Sequence, residues 1–252
     1  MGIGDEIMAL GRVELQHIAT GKPCAILDRH GKRRDHEMWK HNPSFNKDAE
    51  QTIIDGSGVR PYITRWEGNH AIYNLKYRPR AGKIHLTMQE YQSCADLDFP
   101  FAVVSPTIKE NASPNKDWGE DRWEEVIDGF PLPVLQLGPE ETEVLPSATL
   151  YRTPTMRHAA AVVSRAQIVL TAEGGIHHVA ASMGRPAVVI HGGFTPPEVT
   201  GYKTHVNLTG NTGHTGCGKW ERCPLCTKAL DRITPAMVKE AAQGILYASA
   251  SS

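Results

Sequence analysis

Four short apolar runs, at residues 101–104, 134–137, 168–171 and 187–190, recur through the second half of the chain with a helix-like stretch between each pair. Runs of this length, bounded by polar or Gly-containing segments, read as strands, and the alternation of strand and helix is that of βαβ units around a parallel sheet. The helices expected here are 121–128, 155–165, 177–183 and 235–247, the last with Thr234 as cap and Pro235 at its first position. The first half offers a helix over 6–19, with Asp5 as its N-cap and Met8, Leu15 and Ile18 near one face, and strands at 24–27, 52–54 and 71–75. Residues 29–50, crowded with charge, His and Asn, read as a long connection. The composition shifts near residue 100, which puts a boundary between Tyr91 and Phe99 and divides the chain into lobes 1–95 and 96–252. With 252 residues and 40% apolar content, a sizeable core is within reach.

Charge and hydropathy exclude several classes. The chain has 27 Lys and Arg against 28 Asp and Glu, so a chain-wide electrostatic grip on nucleic acid or anionic lipid is not expected, and nucleic acid is not the main partner. No apolar run approaches the roughly 18–20 residues of a membrane helix, and Asp5 and Glu6 stand where a signal peptide is basic. The expectation is a cytoplasmic protein without a membrane span. Five cysteines, an odd number, suit reduced thiols better than a disulfide framework.

Three segments carry chemistry. At 171–186 a strand ends in Thr171-Ala172-Glu173-Gly174-Gly175 and a small-residue helix begins with His177 and His178. Glycines there let backbone N–H groups approach a ligand, and a helix N-terminus favours a diphosphate; the same residues also make a tight turn before a packed helix. Glu173 is placed to accept from sugar hydroxyls. The second segment sets Ser105-Pro106-Thr107 and Ser113 through Trp118 beyond the strand at 101–104, where open α/β sheets bind ligands, with Lys116 either a phosphate contact or a solvated lysine. In the third, Gly2-Ile3-Gly4-Asp5, Asp5 is either a helix cap or a carboxylate facing a cleft.

Taken in order, these segments resemble the family 9 glycosyltransferases, the ADP-heptose:lipopolysaccharide heptosyltransferases. The likeness runs from Gly2 to Val238 and takes in Gln136-Leu137-Gly138, 153–157 and 191–196. The resemblance implies an α/β fold of GT-B type, two Rossmann-like lobes facing a cleft, with the C-terminal lobe holding a nucleotide-sugar, an ADP-sugar by the family's habit. It implies a transferase that inverts the anomeric centre without an obligatory metal. Asp5 becomes the base that deprotonates an acceptor hydroxyl on a glycan or other biomolecule. Gly4, Thr107, Lys116, Gly174 and Gly175 fall on the donor side, the last two with their amides around the diphosphate. Glu173, where the family usually has Asp, would hold donor hydroxyls, and Glu140 or Glu141 would reach the ribose. His178 matches a family His, with a phosphate or structural role, and Arg157 either pairs with the nucleotide or caps its neighbourhood. Family members normally begin with a strand before the Gly-Asp loop, so the N-terminal lobe reads as short and lacking its first strand.

Cys217, Cys223 and Cys226 form C-x5-C-x2-C, with His214 upstream. Thiolates at this spacing can surround Zn²⁺, with His214 completing a Cys3His set; a disulfide with a spare thiol, or free thiols ordering a loop, are the other readings. The metal reading is structural, and no cofactor is expected for catalysis. Two competing functions stand beside the transferase: a nucleotide-sugar epimerase or hydrolase of the same fold, and a non-catalytic nucleotide-sugar or zinc-dependent binding protein.

Overall fold

The structure, a computed structural model, describes residues 2–55, 60–106, 112–210 and 216–250. In chain order the elements are α1 (Ile3–Thr20), β1 (Ala25–Leu27), β2 (Thr52–Ile54), β3 (Ile63–Glu67), β4 (His70–Tyr73), α2 (Met88–Gln92), β5 (Ala102–Ser105), α3 (Glu120–Ile127), β6 (Val134–Gly138), β7 (Thr149–Arg152), α4 (Met156–Val163), β8 (Ile168–Ala172), α5 (Gly175–Ser182), β9 (Ala187–Ile190), α6 (Pro197–Thr200), β10 (Val206–Leu208), α7 (Pro224–Asp231) and α8 (Pro235–Ala250). Two 3-10 turns, Glu37–Trp39 and Pro114–Lys116, complete them.

Six strands form one parallel sheet in the order β10-β9-β8-β5-β6-β7. From β5 the chain moves outward one way through β6 and β7, then returns to β8 and moves the other way. The order therefore reverses between β5 and β8, and ligands of open α/β sheets sit at the carboxyl ends flanking such a reversal. Because side chains alternate, β5 sends Val103 to one face and Ala102 and Val104 to the other; β9 does the same with Val189 and with Val188 and Ile190. Both faces are covered, which is why these strands are apolar throughout. One face packs against α1, α4 and α5, the other against α3 and α8, where Trp118 and Trp123 meet edge to face at 4.9 Å.

The α/β, GT-B-type expectation holds for the sheet. The N-terminal segment holds less regular structure than a full Rossmann-like lobe: a two-stranded parallel pair, β1 with β2, and an antiparallel hairpin, β3 with β4. Its apolar residues do not form a core of their own. Ile7, Leu10, Ile26 and Trp39 join Val103, Val163 and Val179 in a single cluster.

Several expectations need correction. Helix α1 buries Ile7, Met8, Leu10 and Val13, while Leu15 and Ile18 are exposed, because the face that meets the sheet is set by tertiary packing. Gly2 is its N-cap; Asp5 sits one turn in and accepts from the Gly2 N–H at 3.3 Å. The connection at 29–50 contains a 3-10 turn that drives Met38 and Trp39 into the core, with Trp39 Nε1 donating to the Glu6 carbonyl at 2.9 Å. Strands β3, β7 and β10 and helices α2, α6 and α7 were not legible as elements. The Thr234 cap and Pro235 start of α8 are observed.

Candidate functional site

A cavity of about 470 Å³ opens at the carboxyl ends of β5 and β8, at the point where the strand order reverses. Its wall draws on the start of α1, the β3–β4 hairpin, the loop between β5 and α3 and the turn from β8 into α5, with Phe194, Thr195 and Trp220 from later in the chain. Ser105 and Thr171, register partners on β5 and β8, both line it.

On one side stands Asp5. The Tyr62 hydroxyl donates to its Oδ1 at 2.6 Å, and Arg60 Nε donates to its Oδ2 at 3.3 Å. Burial, then the charge of Asp5, raises the Tyr62 phenol well above its ordinary value, so it remains a donor. Burial opposes the Arg60 charge, but Asp5 together with Tyr62 and Tyr73 outweighs it and the guanidinium stays protonated. Neither partner was singled out from the sequence; both come from the hairpin segment.

The start of α5 lines the same cavity. Gly174 is its N-cap, and the first-turn amides of α5 have no intrahelical acceptor. The Gly174 N–H itself is spoken for: it donates to His177 Nδ1 at 3.0 Å. His177 Nε2 therefore carries the proton and donates to the Thr200 carbonyl at 2.9 Å. His178 Nδ1 pairs with the Tyr202 hydroxyl at 2.7 Å. Both imidazoles are buried and held neutral, their values pushed well below the ordinary range, chiefly by desolvation.

Lys116 and Glu173 form a buried ion pair at the cavity wall, and the Lys116 ammonium lies over the Phe194 ring at 5.4 Å from its centre. Burial alone would raise the Glu173 carboxyl. Lys116, with smaller help from His177 and His191, more than reverses this and holds it at about 2. An ammonium has three donors, so pairing with Glu173 leaves Lys116 two for a ligand.

Of the residues expected at the site, the structure brings Gly4, Asp5, Lys116, Glu173, Gly174, Gly175 and His178 to one cavity. It does not bring Glu140 or Arg157. Glu140 is on the surface, paired with Arg152 at 2.6 Å, and Glu141 is also exposed and away from the cavity wall. Arg157 points from the buried side of α4 into the N-terminal segment, where it binds Glu90 at 2.5 Å and the carbonyls of Glu37 and His85 at 3.0 and 2.7 Å. That partner holds the Glu90 carboxyl at about 2, and the arrangement is a strap between segments rather than a nucleotide contact. Thr107 and His214 lie outside the described residues.

Cys217, Cys223 and Cys226 are free thiols whose sulfurs lie within 4.8 Å of one another, beside Phe194. Cys223 caps α7, and N–H groups of that first turn lower its thiol despite burial, while burial raises Cys217 and Cys226. The loop is fastened to the lysine loop chiefly by Asn115, which donates to the carbonyls of Lys219 and Glu221 and accepts from the Cys223 N–H, each at 2.7 Å. Glu173, His177 and His178 also lie close enough to ligate an ion together, but Lys116 takes Glu173 Oε2, Gly174 and Thr200 take both His177 nitrogens, and Tyr202 takes His178 Nδ1.

Comparison with known proteins bears on this geometry. Residues 140–225 match the sequence model of Glycosyltransferase family 9 (heptosyltransferase). Among solved structures, a family 9 glycosyl transferase from Veillonella parvula aligns over 98% of this chain and 95% of its own, at 15% identity and a TM-score of 0.66. The Escherichia coli ADP-heptose lps heptosyltransferase II aligns over 68% of this chain and 55% of its own, at 16% identity and a TM-score of 0.51. The iron-containing dodecameric glycosyltransferase TibC of enterotoxigenic E. coli aligns over 69% and 52%, at 15% identity and a TM-score of 0.54. The chain thus spans about half the length of the last two. No curated protein sequence matches it significantly.

The fold is that of these solved glycosyltransferases. The segment 140–225 is similar to the family 9, heptosyltransferase type, the family that the sequence motifs resemble. Among the described residues no helix is long and apolar enough to cross a membrane.

Proposed function

We propose that the chain transfers a sugar from a nucleotide-sugar, an ADP-sugar in the first instance, to a hydroxyl acceptor, with inversion and without a metal in the chemical step. The observation that carries this reading is the shared cavity: Asp5 and the first turn of α5 face the same space, at the switch point of the sheet. The donor nucleotide in the name of the E. coli heptosyltransferase motivates ADP as the first probe.

The chemistry follows from the groups present. As the glycosidic bond breaks, negative charge grows on the departing diphosphate, and fixed dipoles with a cation stabilise it most where they need not reorient. The α5 first-turn amides and the two remaining Lys116 donors supply such a site. On the other side a carboxylate must take the acceptor's proton. Tyr62 holds Oδ1 by a short bond, whereas Oδ2 has only the two 3.3 Å contacts from Gly2 and Arg60. Oδ2 is therefore the oxygen that an incoming hydroxyl can claim, and Tyr62 fixes the carboxylate's orientation meanwhile. Attack by that hydroxyl from the face opposite the diphosphate inverts the anomeric carbon.

The three thiols suit a structural ion. Cys217, Cys223 and Cys226 would hold Zn²⁺ or a similar soft cation, with His214 as the candidate fourth ligand. Such an ion would tie the loop after β10 to Lys116 through Asn115 without touching the donor. The segment up to about residue 95 is read as the acceptor side and the remainder as the donor side, in a cytoplasmic protein. Calorimetry with ADP, followed by product analysis with a panel of ADP-sugars, tests the reading; no ADP binding by the full chain would remove it.

A further inference from the structure

The chain has five tryptophans, and three of them, Trp39, Trp118 and Trp123, are buried to 2% exposure or less. The other two, Trp66 at 46% and Trp220 at 40%, line the cavity. They come from segments more than 150 residues apart, yet a local sheet geometry puts them together. Trp66 on β3 pairs with Ala71 on β4. The strand-like stretch 218–220 adds to the free edge of β4: the Ala71 N–H donates to the Gly218 carbonyl at 2.9 Å, His70 bridges Lys219, and the Trp220 N–H donates to the Asn69 carbonyl at 3.0 Å.

Trp66, its register partner Ala71 and Trp220 all line the cavity. Gly218 has φ +64°, and a Cβ there would overlap the Ala71 backbone, so a glycine is what lets the 218–220 stretch lie this close to β4. Phe194 braces Trp220 from the side, ring centres 6.1 Å apart. The result is an aromatic-walled trough that shares the cavity with Asp5.

Charge decides what such a trough can receive. Arg60 and Lys116 are the only Lys or Arg among the described residues lining the cavity; Arg60 is paired with Asp5, and Lys116 is shared between Glu173 and, in the reading above, the donor's diphosphate. Among the described residues a phosphorylated or acidic acceptor would find no further Lys or Arg. A neutral pyranose has apolar C–H faces that stack on indole and a rim of hydroxyls, one of which must reach the base. We infer that Trp66 and Trp220 form the acceptor subsite and that it takes the ring of a neutral sugar. This rests on the transferase reading above, and the test separates the two.

Methyl β-D-glucopyranoside and maltotriose serve as neutral probes, glucose 6-phosphate as the charged one, with binding followed by indole fluorescence of the full chain and ADP titrated separately by calorimetry. A neutral probe should give a saturable change, since the two exposed indoles are the ones that solution ligands reach. Trp66→Ala and Trp220→Ala should each weaken it by roughly tenfold. Trp66→Phe should restore much of the loss, and ADP affinity should stay within about twofold of the unsubstituted chain throughout. No saturable response to either neutral probe, unchanged binding in the alanine variants, or tighter binding of glucose 6-phosphate would each overturn the subsite. Sugar binding without ADP binding would keep the subsite and remove the nucleotide-sugar reading, whereas ADP binding without sugar binding would do the reverse.

Discussion

Gly4 and His178 occupy the same space but for one missing methyl group: a Cβ at Gly4 would overlap the Cδ2 and Nε2 atoms of the His178 ring. Helix α1 can therefore lie directly on α5, and this contact is what carries Asp5 to the cavity at the start of α5. The ring cannot easily give way, because its Nδ1 is held by Tyr202 and His177 stacks against it at 3.9 Å. Gly4→Ala is expected to cost about 1–3 kcal/mol through overpacking, measured by urea unfolding. Undiminished stability would show that the interface between the two helices adapts freely.

Asp5→Asn should reduce transfer by about 10² to 10⁴ while ADP affinity is retained, since the base acts only in the transition state. Tyr62→Phe should give a smaller loss, confined to turnover, because it removes the bond that orients the carboxylate. Steady-state kinetics beside ADP calorimetry checks both. Equal effects of the two substitutions on ADP binding would mean that Asp5 shapes the donor pocket instead.

Lys116→Ala strips the partner from a buried carboxylate. An uncompensated buried charge of this kind costs about 3–5 kcal/mol, so Lys116→Ala should be strongly destabilised as well as weak for ADP. Adding Glu173→Gln should recover stability, because the leftover charge is gone, but not ADP affinity. Recovery of both by the double variant would take Lys116 out of the donor site.

Metal content follows from the thiol cluster. Protein purified under anaerobic, reducing conditions should carry about one equivalent of Zn²⁺ or a similar ion by elemental analysis. Cys223→Ser with Cys226→Ser should lower the melting temperature and, through Asn115, weaken ADP binding. Metal-free protein of undiminished stability would leave the thiols as an ordinary packed cluster.

The pH dependence has a definite sign. His177, His178, His191 and His205 are buried with values below the ordinary 6.5, His205 at about 4, so the unfolded chain takes up protons that the folded chain refuses. Their contribution is intact above pH 6.5 and is lost as pH falls from there toward 4, at up to about 1.4 kcal/mol per pH unit for each histidine. Glu173, held at about 2 against 4.5, adds loss below pH 4.5. Urea midpoints at pH 7.5, 6, 5 and 4 should fall progressively. A flat profile from 7 to 5 would mean that the histidines are not sequestered.

The C-terminal sheet was legible because a strand buried on both faces must be apolar at nearly every position, and 101–104, 134–137, 168–171 and 187–190 are. Strands β7 and β10, at the two edges of that sheet, carry Thr, Tyr, Arg and Asn, and so show no such run. Glycines next to acidic residues at strand and helix ends marked Gly4, Asp5, Glu173, Gly174 and Gly175, since close backbone approach and helix N-termini demand those residue types locally. Arg157 and Glu140 looked equally suitable, and nothing local distinguishes a buried strap or a surface pair from a ligand contact.

What the sequence by itself determined is thus the parallel sheet, its helices and the turn chemistry at the carboxyl ends of β5 and β8, because each is dictated by residues near one another in the chain. Only the tertiary structure decided that Tyr62 and Arg60 hold Asp5, that Glu173 claims Lys116, and that Trp66 faces the same cavity as Trp220. Those pairs are separated by 55 to more than 150 residues. Their meeting depends on how α1 seats on α5 and on the edge of β4 accepting the 218–220 stretch, and no local propensity encodes either contact.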